Sequence, residues 1–236
     1  MKIYITRHGQ VMPKEFIGTV DFPKGDVPLS ELGQKQATCL GKELLARNFK
    51  GIIISSPYNR TMTTANLAAK ECGAPIYVDG ALREMIFSEE NALEFKGMTI
   101  DELKDRFSNV AKDATLEYPW WTTKPDSKEI ITDRLEAFWE KILSLGYEEL
   151  MIVGHGASVF GSMNYFNKKY GFDFPENLDE LGDYLAERNL NCNLSYIELD
   201  EQLNLKNARM FATTHLTEDM LTSNSNPKTR PEEIIK

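Results

Sequence analysis

Arg7-His8-Gly9 follows the first apolar run of the chain, Ile3 to Ile5, and its residue types suit one class of reaction. A phosphoryl group carries negative charge on its nonbridging oxygens and gains more on its leaving oxygen during transfer. Its chemistry therefore needs positioning and positive charge. Arg7 and Arg60 supply planar forks of donors whose charge does not titrate near neutral pH. A histidine nitrogen can attack phosphorus and hold the group covalently, which splits one displacement into two easier ones, and His8 is the candidate nucleophile. A second histidine would donate to the phosphate oxygens, a role open to His155 between Gly154 and Gly156. A carboxyl group would protonate the leaving alcohol and later deprotonate water. Glu84 suits that role by its place after the run Ile76 to Val78, although chemistry alone does not single it out among 36 acidic residues.

Other chemistries fail on spacing. The three histidines, His8, His155 and His215, show no HExxH or comparable metal pattern. Gly154, Gly156 and Gly161 do not make GxGxxG, and Gly41-Lys42 lacks the remainder of a P-loop. Plainer roles fit several other residues. Ser55 and Ser56 read as turn formers that cap the following helix. His215 reads as a packing or capping residue, and Asp179, Glu180 and Asp183 as a solvated helix face. Lys14 and Lys24 are surface lysines that could also serve a second anionic group.

The candidate residues need elements to hold them. Lys2 to Thr6 reads as a buried strand running into a loop. From Ser30 to Asn48, Leu32, Ala37, Leu40, Leu44 and Leu45 recur at helix spacing, and Ile52 to Ile54 then forms a second strand. Arg60 to Glu71 reads as a helix stopped at Gly73, before the short strand Ile76 to Val78. Between Met85 and Lys128 the pattern breaks into charges, aromatics and prolines, which reads as an insertion capping the strand ends, with Tyr118, Trp120 and Trp121 as its small core. Helical spacing resumes over Glu129 to Leu145, followed by the apolar strand Leu150 to Val153 and a helix over Ala157 to Tyr170. Phe172 to Leu190 is mixed, and Ser195 to Leu199 with Ala208 to Thr213 reads as a terminal strand pair. Alternating strands and helices of this length predict an α/β fold, a mainly parallel sheet with helices on both faces. Ligand sites in such sheets lie at the carboxyl ends of the strands, so Arg7, His8, Arg60 and His155 should converge there. We read residues 1–216 as one domain and 217–236, which is polar and rich in Ser, Asn and charge, as a flexible tail.

A chain of 236 residues with 42% hydrophobic residues can bury a substantial core unaided. Its formal charge of −9 speaks against nucleic acid and anionic membrane as partners, so an anionic substrate needs a local positive pocket. Cys39, Cys72 and Cys192 are odd in number and widely spaced, which excludes a disulfide framework and fits a reducing, cytoplasmic compartment. The short apolar run at Ile3 to Ile5 does not read as a signal peptide, no run reaches the length of a membrane span, and no cofactor is expected.

Several separated motifs now combine. Thr6-Arg7-His8-Gly9, Asp26-Val27-Pro28-Leu29-Ser30-Glu31-Leu32-Gly33 with Gln36-Ala37, and Ser55-Ser56-Pro57 with Arg60 and Thr64-Ala65 resemble the histidine phosphatase superfamily, the phosphoglycerate mutase-like group. Leu82-Arg83-Glu84, Gly154-His155-Gly156 and Thr214-His215-Leu216 are similar to its later landmarks, in the same order. The resemblance implies a phosphorylated His8, phosphoryl binding by Arg7, Arg60 and His155, Glu84 as proton donor, and no metal. Mutases of the family continue after Arg-His-Gly with Glu, then an Asn and a Gly-Arg pair that hold phosphoglycerate. Here Gln10 follows, and Val11 to Phe22 has no matching Asn and no Arg. The expectation is therefore a phosphatase for a small phosphorylated metabolite, with Gln10 as a further substrate contact and a homodimer compatible with the sequence. The alternatives are a phosphoglycerate mutase and a noncatalytic phospholigand-binding protein.

Overall fold

A computed structural model describes residues 1–13, 16, 25–90, 95–224 and 226–236. Lys14, Lys24 and most of the loop from Val11 to Phe22 lie outside them. The principal strands are β1 (Lys2–Arg7), β2 (Ile52–Ser55), β3 (Ile76–Val78), β4 (Glu149–Gly154), β5 (Leu194–Leu199) and β6 (Leu205–Ala212). Short strands β7 (Thr222–Ser223), β8 (Asn226–Pro227) and β9 (Ile234–Ile235) follow. The helices are α1 (Glu31–Ala46), α2 (Asn59–Cys72), α3 (Ile100–Arg106), α4 (Lys128–Ser144), α5 (Gly156–Tyr170) and α6 (Leu178–Arg188).

The main sheet runs β3-β2-β4-β1-β5-β6-β9. The first four strands are parallel, as the alternating pattern predicted, and β5, β6 and β9 extend the sheet antiparallel. Strand periodicity sorts the core into two layers. Ile3, Ile5, Leu150 and Ile152 pack with Trp139 of α4 and Phe166 of α5 on one face. Tyr4, Ile53, Met151 and Val153 pack with Leu40 of α1 and Met62 of α2 on the other. Trp139 is fully buried, and its indole N–H donates to Ser162 Oγ at 2.9 Å, so its polar atom is satisfied inside the core.

Register sets the functional edge. Arg7 lies opposite Gly154, and Ser55 opposite Val153, so β1, β4 and β2 end side by side at one level. Backbone bonds continue past the strand ends, from His8 N to Gly154 O at 2.9 Å and from Ser56 N to Val153 O at 3.0 Å. The loop after β1 then meets the start of α1. Ser30 caps that helix, and its backbone N–H donates to Gln10 O at 2.9 Å.

Segment 85–128 is less separate than its composition suggested. Ile76 N donates to Asn109 O and Ala111 N to Ile76 O, which lengthens the sheet beyond β3, while Met98, Leu103 and Phe107 enter the α1–α2 layer. Trp120 does form a small aromatic core, but with Tyr58 and Phe95 as its buried partners.

The expected free tail is docked. β9 pairs with β6, and Arg230 donates to Thr213 Oγ1 at 2.9 Å and to Leu216 O at 3.1 Å. Asn191 N donates to Thr222 O at 2.9 Å, and Leu221 and Thr222 are buried. Composition misread this segment because backbone ladders and one arginine hold it, and neither needs an apolar run. Among the described residues no helix is long and apolar enough to cross a membrane.

Gly33 shows how closely α1 supports the loop that carries His8. A β-carbon there would sit 2.1 Å from the Gln10 carbonyl oxygen, a contact that forces the backbone apart. Gly33→Ala should cost about 1–3 kcal/mol, the usual range for overpacking, read from urea denaturation. An unchanged midpoint would show that the loop is not clamped.

Candidate active site

Each candidate side chain arrives from a strand end or the helix start beyond it. Arg7 ends β1, His8 follows it, Arg60 lies in the first turn of α2 after β2, and His155 sits between β4 and α5. Glu84 follows the 3-10 turn Gly80–Leu82 after β3. Its place is fixed from both sides. Arg83 makes a two-pronged pair with Asp126, at 2.5 and 2.8 Å, and Ile86 N donates to the same carboxylate at 3.0 Å.

The two histidines lie 5.3 Å apart by ring centroids, and one ligand atom from each of His8, Glu84 and His155 falls within 4.8 Å of the others. His8 Nδ1 lies 2.8 Å from Gly9 O. A carbonyl can only accept, so Nδ1 carries the proton and Nε2 keeps its lone pair. Asn191 Nδ2 donates to His8 O at 3.0 Å and fixes the backbone beneath it. Burial, then the charges of Arg60 and Arg7, hold His8 well below the usual histidine range, against the raising effect of the Gly9 bond. His155 is held down likewise, by burial first and then by Arg60, His8, Arg7 and Arg134.

His155 Nε2 is 2.8 Å from Ser56 Oγ, so Ser56 positions the ring in addition to its place in the turn. Its Nδ1 is buried, 3.6 Å from Glu84 Oε2, and has no hydrogen-bond partner among the described residues. Arg7 Nε is also buried and unpartnered among them, whereas its terminal nitrogens donate to Asn189 O at 2.8 Å, Ser223 Oγ at 3.1 Å and Asn224 Oδ1. None of those three partners carries a charge, so the Arg7 cation stays available to an anion. Arg60 is shared. It pairs with Asp26 at 3.0 Å, stands 3.9 Å from Glu84 Oε2, and lies over the Tyr58 ring at 4.5 Å. Asp26 also accepts from Asn59 N, and burial pushes its carboxyl up to about 6 despite Arg60. Glu84 Oε1 accepts from Met85 N at 2.9 Å and Ala157 N at 3.3 Å, the latter at the N-terminus of α5, where a negative charge is favoured. Tyr58 joins the site to the aromatic core, with its ring 4.8 Å from His155 and 4.7 Å from Phe95.

The structure thus brings together five of the six expected residues. Gln10 is tied to the start of α1. Its amide oxygen accepts from Ser30 Oγ at 2.7 Å, and its backbone N–H donates to Gln36 Oε1 at 2.7 Å. His215 Nε2 donates to Cys192 O at 2.9 Å, a packing contact. Asp26, Asp126, Asn189, Asn191, Ser223 and Asn224 were missed. Asp26 was visible as the head of its motif, but the others are single polar residues without a pattern of their own. His8, Glu84 and His155 offer a donor set that a metal could use, yet Arg7 and Arg60 beside it oppose a cation, and the same surroundings favour an anion.

Comparison with known proteins follows the same line. A family model described as the histidine phosphatase superfamily (branch 1) matches residues 3–178. A protein of Hydrogenobacter thermophilus named "Putative phosphoserine phosphatase 2" is 32% identical over 161 residues, covering 67% of this chain and 74% of that protein. A Salmonella paratyphi B protein named "Probable phosphoglycerate mutase GpmB" is 27% identical over 167 residues, covering 67% of this chain and 71% of its own length. Among solved structures, Bacillus stearothermophilus YhfR shares the fold at a TM-score of 0.58 and 23% identity, covering 87% of this chain and 94% of that one.

The depressed histidines give a direct check. An ordinary histidine is half protonated at roughly pH 6.5. His8 and His155 should both remain neutral there, as read from their ring nitrogen shifts by NMR. Midpoints at or above the ordinary histidine value would contradict a buried, neutral pair.

Proposed function

Because the chain belongs to the histidine phosphatase superfamily, we propose that it hydrolyses a small phosphomonoester through a phosphohistidine on His8. The observation that carries this reading is the pair of buried atoms without a partner among the described residues, Arg7 Nε and His155 Nδ1, beside a histidine whose Nε2 lone pair is kept by the bond from Nδ1 to Gly9. A phosphoryl oxygen would satisfy both atoms.

In the first step His8 Nε2 attacks phosphorus and the P–O bond to the leaving group breaks. Glu84 gives its carboxyl proton to the departing alkoxide, so the product is a neutral alcohol. In the second step Glu84, now a carboxylate, takes a proton from water as the water oxygen attacks phosphorus. The P–N bond breaks, its electron pair returns to His8 Nε2, and inorganic phosphate leaves. Arg7, Arg60 and His155 hold the nonbridging oxygens and offset the charge that grows in both steps. The buried guanidinium groups act with little water to screen them, which strengthens each contact.

Hydrolysis is favoured over phosphoglycerate isomerisation because the loop after His8 lacks the mutase residues and Gln10 is engaged with Ser30. Incubation with 3-phosphoglycerate should release phosphate faster than it forms the 2-isomer, and the reverse would favour a mutase. His8→Ala should fold and lose turnover of p-nitrophenyl phosphate. Glu84→Gln should slow alkyl phosphates by about 10²–10⁴-fold, the range of general acid catalysis, and activated aryl phosphates much less. Equal slowing of both classes would remove Glu84 from the proton-donor role.

A further inference from the structure

Beside the phosphoryl-binding cluster lies a cavity of about 440 Å³ with Arg7 and Glu84 on its wall. The proton donor therefore faces this space, and so must the ester oxygen it protonates. Beyond Glu84 the lining includes the hydrocarbon side chains Met85, Phe87, Ile131, Phe160 and Leu185, while the polar residues Asn189, Ser223 and Asn224 line the Arg7 side and accept from its guanidinium. A smaller space of about 190 Å³ on the Arg60 side of Glu84 shares Met85 and Phe87 with it. Phe87 is 74% exposed, three residues from the candidate acid and with its ring at the border of both spaces. The other charged group on the larger wall is Lys128, which is turned to Asp179, with Nζ 2.6 Å from its carboxylate.

We propose that the substrates are phosphomonoesters of apolar alcohols, with the hydrocarbon part lodged in this cavity and against Phe87. The inference rests on the phosphatase reading above and adds a substrate class to it. The hydrocarbon part of the wall rewards burial of methylene groups and penalises an alcohol that brings its own charge, because a carboxylate or ammonium would lose its water while Lys128 is already paired with Asp179 and Asn189, Ser223 and Asn224 are already bonded to Arg7. A phosphorylated amino acid or glycerate is such an alcohol.

A series of n-alkyl phosphates from ethyl to octyl tests this with the full chain, alongside O-phosphoserine and p-nitrophenyl phosphate. Leaving-group pKa is nearly constant along the alkyl series, so changes in kcat/KM report on the cavity. We expect kcat/KM to rise about fourfold per added methylene until the space is filled, with phosphoserine below the longer esters. Phe87→Ala, at an exposed position whose loss leaves the core intact, should make that rise shallower. A flat series, or phosphoserine turned over better than the octyl ester, overturns the proposal while p-nitrophenyl phosphate turnover leaves the phosphatase reading standing. Turnover of none of these esters, p-nitrophenyl phosphate included, overturns that reading and this inference with it.

Discussion

Two arginines and two histidines are withheld from water at one edge of a sheet, and the arrangement holds only if the imidazoles stay uncharged. Burial and the neighbouring guanidinium groups act in the same direction on His8 and His155, so the positive charge of the site stays on Arg7 and Arg60. A neutral imidazole with a free nitrogen lone pair is a nucleophile, and a protonated one is not. The electrostatic condition for packing these groups together is thus the chemical condition for attack on phosphorus.

Two kinds of partner keep the cations in place. Arg60 has a buried carboxylate, Asp26, and removing one member of such a pair typically costs about 3–5 kcal/mol because the other charge is left alone. Among the described residues Arg7 donates to a carbonyl, a hydroxyl and an amide oxygen, from Asn189, Ser223 and Asn224. That asymmetry assigns them different work. Arg60 is anchored by Asp26 and shared with Glu84, while Arg7 feels Glu84 as a neighbouring carboxylate and donates to neutral groups, which leaves it open to a phosphoryl dianion. It also brings the C-terminal segment into the site, since Ser223 at the end of β7 and Asn224 just after it reach Arg7, and β7 is itself tied to α1 through Gln36 and Thr222.

Much of this was legible in the sequence for physical reasons. The runs Lys2 to Thr6, Ile52 to Ile54 and Leu150 to Val153 read as buried parallel strands, and parallel strands must end on the same side. His8, Arg60 and His155 therefore converged as topology required. Glu84 became legible through its motif, because a carboxylate at a loop has no periodicity to mark it. The docked tail and the Arg7 partners were not legible, since polar residues that bond to backbone or to one guanidinium leave no compositional trace. The aromatic segment was half legible: Trp120 did seek a core and packs with Phe95 and Trp121 of its own segment, but Tyr58 comes from the start of α2, and only the fold brings it there.

The central claim is a covalent bond between phosphorus and His8 Nε2, and trapping that species tests it most directly. The full chain would be mixed rapidly with p-nitrophenyl phosphate, quenched in alkali, which preserves P–N bonds, and read by mass spectrometry with fragmentation. The account predicts one phosphoryl group per chain on the peptide containing His8, labile to acid. Turnover with no protein-bound phosphoryl group, or with the group on His155 or a carboxylate, would contradict it.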